Sequence, residues 1–379
     1  MRLLSPLPLL LALLTTAAPA RAAEPIKVGA LLAVTGPASF LGGPEARTLE
    51  MMVEDLNAKG GLAGRPIQLI VKDTGASPEK AVSFAKQLIE EEQAFAIIGP
   101  STSGETMAVK GLAESSGTLL FSCAAAEVIV NPVAQWVFKS PQKDSDAAAM
   151  IFKKLNAMGL KKIGVLSSNT GFGKAGKAQL EKAAPEHGIE IVVSETYDKA
   201  ATDLTAEVTK LKAAGVQAIV NWSIEPAQAI VLKNARQLGL TLPIFQSHGF
   251  GNLQYVKAAG AAAEGVLFPA GRLLVAEALP DRHPQKAVLL AYKKAYEARF
   301  KEDVSTFGGH AYDALAIIAE AVKQAGADKA KVRAAIEGIK GFPGTAGVFS
   351  FSAADHNGLD IGAFELLTVK DGKFVPAAK

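Results

Sequence analysis

The 379-residue chain carries a formal net charge of +3, with 49% hydrophobic and 20% charged residues. That near-neutral, ordinary globular balance argues against nucleic acid or an anionic membrane as partner. A single cysteine, Cys123, excludes an internal disulfide, so the fold must rest on its core, which a chain long enough for two domains supplies.

The first residues read as a targeting segment rather than as fold. Arg2 gives a positive start, "LLSPLPLLLALLTTAAP" an apolar core, and Ala20-Arg21-Ala22 a small-x-small cleavage site. A cleaved secretory signal over 1–22 is expected, leaving an exported mature chain. From there short β-branched runs alternate with helical patterns. "IKVGALLAV" (26–34) predicts a strand, and "EARTLEMMVEDLNAKGG" a helix with Ala46, Leu49, Val53 and Leu56 on one stripe. "PIQLIVKD" is the next strand, followed by a helix with Ser77 as N-cap and Pro78 in its first position. "AFAIIGP", a helix from "GETMA" and "TLLFSCA" complete a first series. After Pro141 the alternation restarts: a helix from Ser145, strand "KKIGVLSS", a helix from Gly173, strand "IEIVVSETY", a helix from Asp203, strand "VQAIVNWS", helix "EPAQAIVLKNARQLG" and strand "PIFQSHG". Such alternation predicts parallel sheets with right-handed crossovers, hence an α/β protein of two doubly wound, Rossmann-like lobes. "EGVLFPAGRL" (264–273) predicts a second crossing between them. Helices over Pro284–Phe300 and His310–Ala325 and a strand-like ending then follow.

Enzyme motifs do not assemble. "GFGKAG" (171–176) matches G-x-G-x-x-G, but Phe172 and Lys174 are bulky for a turn that must approach a pyrophosphate, and a tight turn aiming Phe172 into a cleft explains it. Ser77-Pro-Glu-Lys80 fits S-x-x-K, yet no companion motif accompanies it. The five histidines, His187, His248, His283, His310 and His356, show no metal-ligand spacing. No cofactor, metal or catalytic set is expected. A cleft is the better site, because doubly wound sheets bind ligands beyond the carboxyl ends of their strands. Those ends are rich in small and hydroxyl residues with aromatics interleaved: Phe40 and Leu41, Ser101, Thr102 and Ser103, Ala124, Ala125 and Ala126, Phe172, Asn221, Trp222 and Ile224, and His248, Gly249 and Phe250. Hydroxyls and free N–H groups where "IIGPSTSGETMA" enters a helix form an anion trap.

In order along the chain, "IKVGALLAVTGPASFLG", "EDLNAKGGLAGRPIQLIVKD", "AFAIIGPSTSGET", "KKIGVLSSNTGFGKAG" and "AIVNWSIEPAQAIVLKNARQLGL" resemble the periplasmic solute-binding proteins of branched-chain amino acid ABC transporters. The resemblance implies two lobes joined by three crossovers and closing by hinge motion, with lobe one at 23–142 and 272–361 and lobe two at 143–271 and 362–379. It implies a monomer in the periplasm that hands its ligand to an inner-membrane ABC permease. It also implies a ligand carboxylate held by Ser103 and by N–H groups near Thr102 and Ala124. Departures from the family pattern point to the ligand. Ala126 stands where amino acid binders have a threonine, and Gly249 where they have the acid that pairs with the ammonium. Leu41 (or Phe40), Phe172 and Ile224 replace tyrosines. The family's disulfide positions fall at Ala76 and Thr102, so that bridge is absent. A buried ammonium without a partner is costly, so the expected ligand is a small carboxylate on an apolar or aromatic body, of benzoate or phenylpropanoid type. A branched-chain or other hydrophobic amino acid remains the alternative if Glu225 or Glu127 replaces the missing acid.

Overall fold

Two open sheets divide the chain in this computed structural model, which describes residues 24–378. The signal segment expected over 1–22 lies outside the described residues. In the first sheet the order is β2-β1-β3-β4-β5, from β1 (Ile26–Leu32), β2 (Ile67–Asp73), β3 (Ala96–Ile98), β4 (Leu119–Ser122) and β5 (Val137–Lys139), and every pairing is parallel. Helices α1 (Ser39–Ala58), α2 (Pro78–Lys86) and α3 (Ser103–Ser116) connect these strands. The central strands are buried on both faces, which is why they read as unbroken apolar runs rather than alternating ones.

The second sheet begins after α4 (Asp144–Ala157). It is built from β6 (Lys162–Ser168), β7 (Glu190–Tyr197), β8 (Ala218–Trp222), β9 (Ile244–Gln246) and β10 (Leu267–Gly271), with α5 (Gly171–Ala183), α6 (Thr205–Ala213), α7 (Ala227–Gln237) and α8 (Leu253–Ala259) between them. The chain then returns to the first core through α9 (Lys286–Phe300), α10 (Thr306–Ala325) and α11 (Lys329–Gly338), and α10 packs along α1. A two-strand ribbon, β11 (Phe342–Pro343) with β12 (Val348–Phe349), precedes the last crossing. β13 (Phe364–Lys370) and β14 (Lys373–Pro376) close the second sheet antiparallel, in the order β14-β13-β10-β9-β8-β6-β7.

Several elements depart from the sequence reading for identifiable reasons. β5 has only three residues and ends on a fully buried lysine, so no apolar run announces it. α10 begins at Thr306 rather than His310. Ser305 caps it by accepting from the Gly308 N–H, and the Gly308-Gly309 pair hides the first turn in sequence. α1 begins six residues before the expected Glu45, with Pro44 inside it. Proline has no N–H for the carbonyl four residues back, which frees the Phe40 carbonyl. Asn252 Nδ2, from the other lobe, donates to that oxygen at 3.0 Å. An apparent helix breaker thus becomes a contact between lobes. No helix among the described residues is long and apolar enough to cross a membrane.

Candidate ligand-binding site

Loops that follow the parallel strands of both sheets meet around one small cavity. Ser101 and Ser103 follow β3, Cys123, Ala124 and Ala125 follow β4, Phe172 follows β6, Ile224 follows β8, and His248 and Gly249 follow β9. Leu41 of α1, Pro141, and Phe307 and His310 of α10 complete the wall. The void is about 20 Å³, room for a water or two, so the lobes must part to admit anything larger. A wider pocket of about 350 Å³ opens beside it and shares Phe172 and Ile224, with Thr102, Gly104, Thr170, Lys199 and Glu225 at its rim.

Within the anion trap the hydroxyls divide their work. Ser101 donates to Glu45 Oε2 and accepts from the Ala33 N–H at 3.0 Å, so both its capacities are used inside the first lobe. Thr102 is the N-cap of α3: its hydroxyl donates to Glu105 Oε2 at 2.6 Å and accepts from the Glu105 N–H at 3.4 Å. Ser103 Oγ accepts from the Ala126 N–H at 3.3 Å, which leaves its own proton to donate into the cavity. The Ala124 N–H, expected to face a ligand, is held by Ser122 Oγ at 3.1 Å. The Ala125 N–H has no hydrogen-bond partner among the described residues, and the first turn of α3 adds N–H groups that no carbonyl of the helix satisfies.

The other expected residues sort by depth. Ala126 is buried in the first lobe, off the cavity. Phe40 turns from the cavity to meet Tyr255 edge-on, with centroids 5.1 Å apart. Asn221 is held in the second core, accepting from Tyr197 Oη at 2.9 Å and donating to Gln246 at 2.7 Å. Phe250 stacks on Tyr255 and meets Phe268 there. Trp222 is fully buried behind Phe172 and His248, at 5.9 and 5.7 Å between centroids, and supports the wall without forming it. A Cβ on Gly176 would come within 2.0 Å of the Trp222 indole nitrogen, so this glycine of the "GFGKAG" match makes room for an indole, not a phosphate. At Gly249 the backbone lies outside the left-handed region, and a Cβ would meet the Ser223 carbonyl at 2.7 Å and Ile224 Cγ2 at 2.6 Å. Glycine is required there for space.

Charge is arranged behind the walls. Burial raises the Glu45 carboxyl to about 8, against the hydrogen bond from Ser101, so it is neutral at neutral pH. The Lys139 ammonium is buried and donates to the carbonyls of Ala125 at 2.8 Å, Pro141 at 3.0 Å and Gln142 at 3.1 Å, which takes all three of its protons. Burial above all holds both His248 and His310 neutral, with a smaller push from Lys139, itself lowered by burial to about 7: His310 falls to about 3 and His248 well below its usual value. Among the described residues no acidic side chain lines the cavity. Cys123, Pro141, Phe307 and His310 are not among the site residues the sequence singles out; for the last two, nothing in the sequence around residue 310 relates it to residue 248.

The family described as periplasmic binding protein matches residues 25–373, nearly the whole described chain. The chain belongs to this family. Its members are solute-binding proteins that work with ABC transporter permeases in the periplasm, and this member is a solute-binding protein, not an enzyme. It is 27% identical over 318 residues, 83% of each chain, to the leucine-, isoleucine-, valine-, threonine- and alanine-binding protein of Pseudomonas aeruginosa. An extracellular ligand-binding receptor from Rhodopseudomonas palustris superposes with a TM-score of 0.88 at 26% identity, covering 93% of this chain and all of that one. The branched-chain amino acid transporter substrate binding protein LivJ of Streptococcus pneumoniae, in complex with isoleucine, gives 0.82 at 27% identity, covering 93% and 98%.

Proposed function

We propose that this member delivers to its permease a small carboxylic acid without an α-amino group, on an aromatic body of benzoate or phenylpropanoid type. The lining of the cavity carries this reading: it offers hydroxyl and N–H donors at one wall and apolar or aromatic surface elsewhere, with no carboxylate for an ammonium. The carboxylate is held by Ser103 Oγ, the first N–H groups of α3 and the Ala125 N–H. The body of the ligand lies against Leu41, Phe172, Ile224 and Phe307.

A hydrophobic amino acid is the second reading. It is supported by the named ligands of the relatives and by Glu225, which borders the wider pocket. Glu225 Oε2 accepts from Ser223 Oγ at 2.6 Å and the Ile224 N–H at 3.2 Å, while Oε1 has no hydrogen-bond partner among the described residues and keeps the capacity to meet an ammonium at the wider pocket. Glu127 accepts from Asn131 at 2.9 Å and stands outside the lining. A thermal-shift screen over aromatic acids, aliphatic acids and amino acids tests the choice, since ligand at 100 times its dissociation constant stabilises by about 2.7 kcal/mol. Aromatic acids are expected to raise the melting temperature and amino acids to leave it unchanged. The reverse pattern would restore the amino acid reading.

A further inference from the structure

We propose that His248 and His310 together receive a hydroxyl group that the ligand carries away from its carboxylate, which makes the ligand a hydroxylated acid. The inference rests on the amine-free acid reading and adds a second polar point to it. His248 comes from the loop after β9 in the second lobe and His310 from α10 in the first, and both line the cavity at 6% exposure. Neither ring is satisfied by the described residues. Both nitrogens of His248 and Nδ1 of His310 are buried without a hydrogen-bond partner. Buried polar groups in folded proteins are nearly always paired, so three open positions on two rings in one cavity mark where a partner belongs.

The chemistry of that partner follows from the state of the rings. A neutral imidazole has one N–H donor and one bare nitrogen acceptor. Burial keeps these two neutral. A hydroxyl both donates and accepts, so it fits between a bare nitrogen and an N–H. A second carboxylate only accepts, so it could meet an N–H of each ring but no bare nitrogen, whereas a hydroxyl can donate to the bare nitrogen of one ring and accept the N–H of the other. A methyl or a bare ring edge would satisfy neither. Phe172, Trp222 and Phe364 meet the His248 ring edge-on at 5.3, 5.7 and 5.6 Å, fixing its plane without using its nitrogens. Ser103 answers one end of the ligand and the histidine pair another. A site built to hydrogen-bond a hydroxyl discriminates strongly against the analogue that lacks it.

Calorimetry with the full mature chain tests this with six probes: benzoate, 3-phenylpropanoate, and the 3-hydroxy and 4-hydroxy form of each. At least one hydroxylated acid is expected to bind roughly tenfold or more tighter than its parent. In the His248→Phe variant the ratio of hydroxylated to parent affinity should fall towards one, whatever the change in parent binding, and His248→Gln, which keeps a donor and an acceptor, should recover part of that ratio. A purely structural role for His248 would shift parent and hydroxylated acid equally. If either histidine variant fails to fold, the wild-type comparison alone decides. Equal binding of parent and hydroxylated acids would overturn the histidine subsite while leaving the acid reading intact. Tighter binding of the corresponding benzene dicarboxylate would overturn it in favour of an anion. Absence of binding by every aromatic acid would overturn both.

Discussion

Ser103→Ala removes the one side-chain hydroxyl in the trap whose proton is uncommitted, and it also orphans the Ala126 N–H. Hydrogen bonds to charged groups contribute about 1.5–3 kcal/mol, so calorimetry should show affinity for the acid falling roughly tenfold or more. Unchanged affinity would place the carboxylate elsewhere. Ser101→Ala makes a useful contrast, since its hydroxyl serves Glu45 and Ala33 and its loss should act on stability rather than on binding. Glu45 itself gives a pH prediction. Its folded carboxyl titrates at about 8 against an ordinary value of 4.5. Between those values the native state keeps a proton that the unfolded state has released, so this residue's contribution is fully present below pH 4.5 and is lost as pH rises to about 8. The slope is at most about 1.4 kcal/mol per pH unit. His310 works in the opposite sense, costing stability as pH falls from 6.5 towards 3, because only the unfolded chain then takes up the proton. Glu45→Gln should therefore flatten the decline of melting temperature between pH 5 and 8. An unaltered profile would mean that Glu45 is ionised in the folded protein.

At the scale of elements, the two lobes touch through backbone brought unusually close. Gly104 in the first turn of α3 faces Gly171 at the start of α5, and a Cβ on Gly171 would lie 2.8 Å from the Gly104 backbone. Pro44 in α1 exposes the carbonyl that Asn252 reaches from the second lobe. Gly171→Ala should therefore oppose closure and weaken ligand binding by about 1–3 kcal/mol, the cost of overpacking a fitted contact. Asn252→Ala should weaken it by about 1 kcal/mol through the lost hydrogen bond. Calorimetry checks both, and full affinity in Gly171→Ala would show that the ligand is held without this approach of the helices. Neither contact was legible in sequence. The sequence reads the Gly171 turn only as a way to aim Phe172 and starts α1 at Glu45, just past Pro44, because a sequence pattern shows spacing along one chain segment and not what another lobe brings against it.

At the scale of the molecule, the alternation of apolar runs and helical stripes carried most of the fold, since buried parallel strands and capped amphipathic helices leave strong local signals. Ser77 capping α2 is one such signal. The short pieces did not show: β5 with its interior lysine, seven-residue α8, and α11 after the long helix. The site was legible where it follows strand ends, as at Ser103, Phe172 and Gly249, and illegible where α10 returns to it with Phe307 and His310. The second crossing shows in "EGVLFPAGRL", but no local pattern encodes which turn of α10 then comes to rest against the loops of the other lobe. The proposed ligand is a carboxylate without an ammonium, and one measurement tests that directly. Isothermal calorimetry of the unmodified protein with 3-phenylpropanoate and with phenylalanine compares two ligands that differ chiefly by that ammonium. The acid should bind tighter by at least about 2–3 kcal/mol, the order of leaving a buried charge unpaired, or roughly thirtyfold and more. Phenylalanine binding as tightly as the acid, or tighter, would contradict the account.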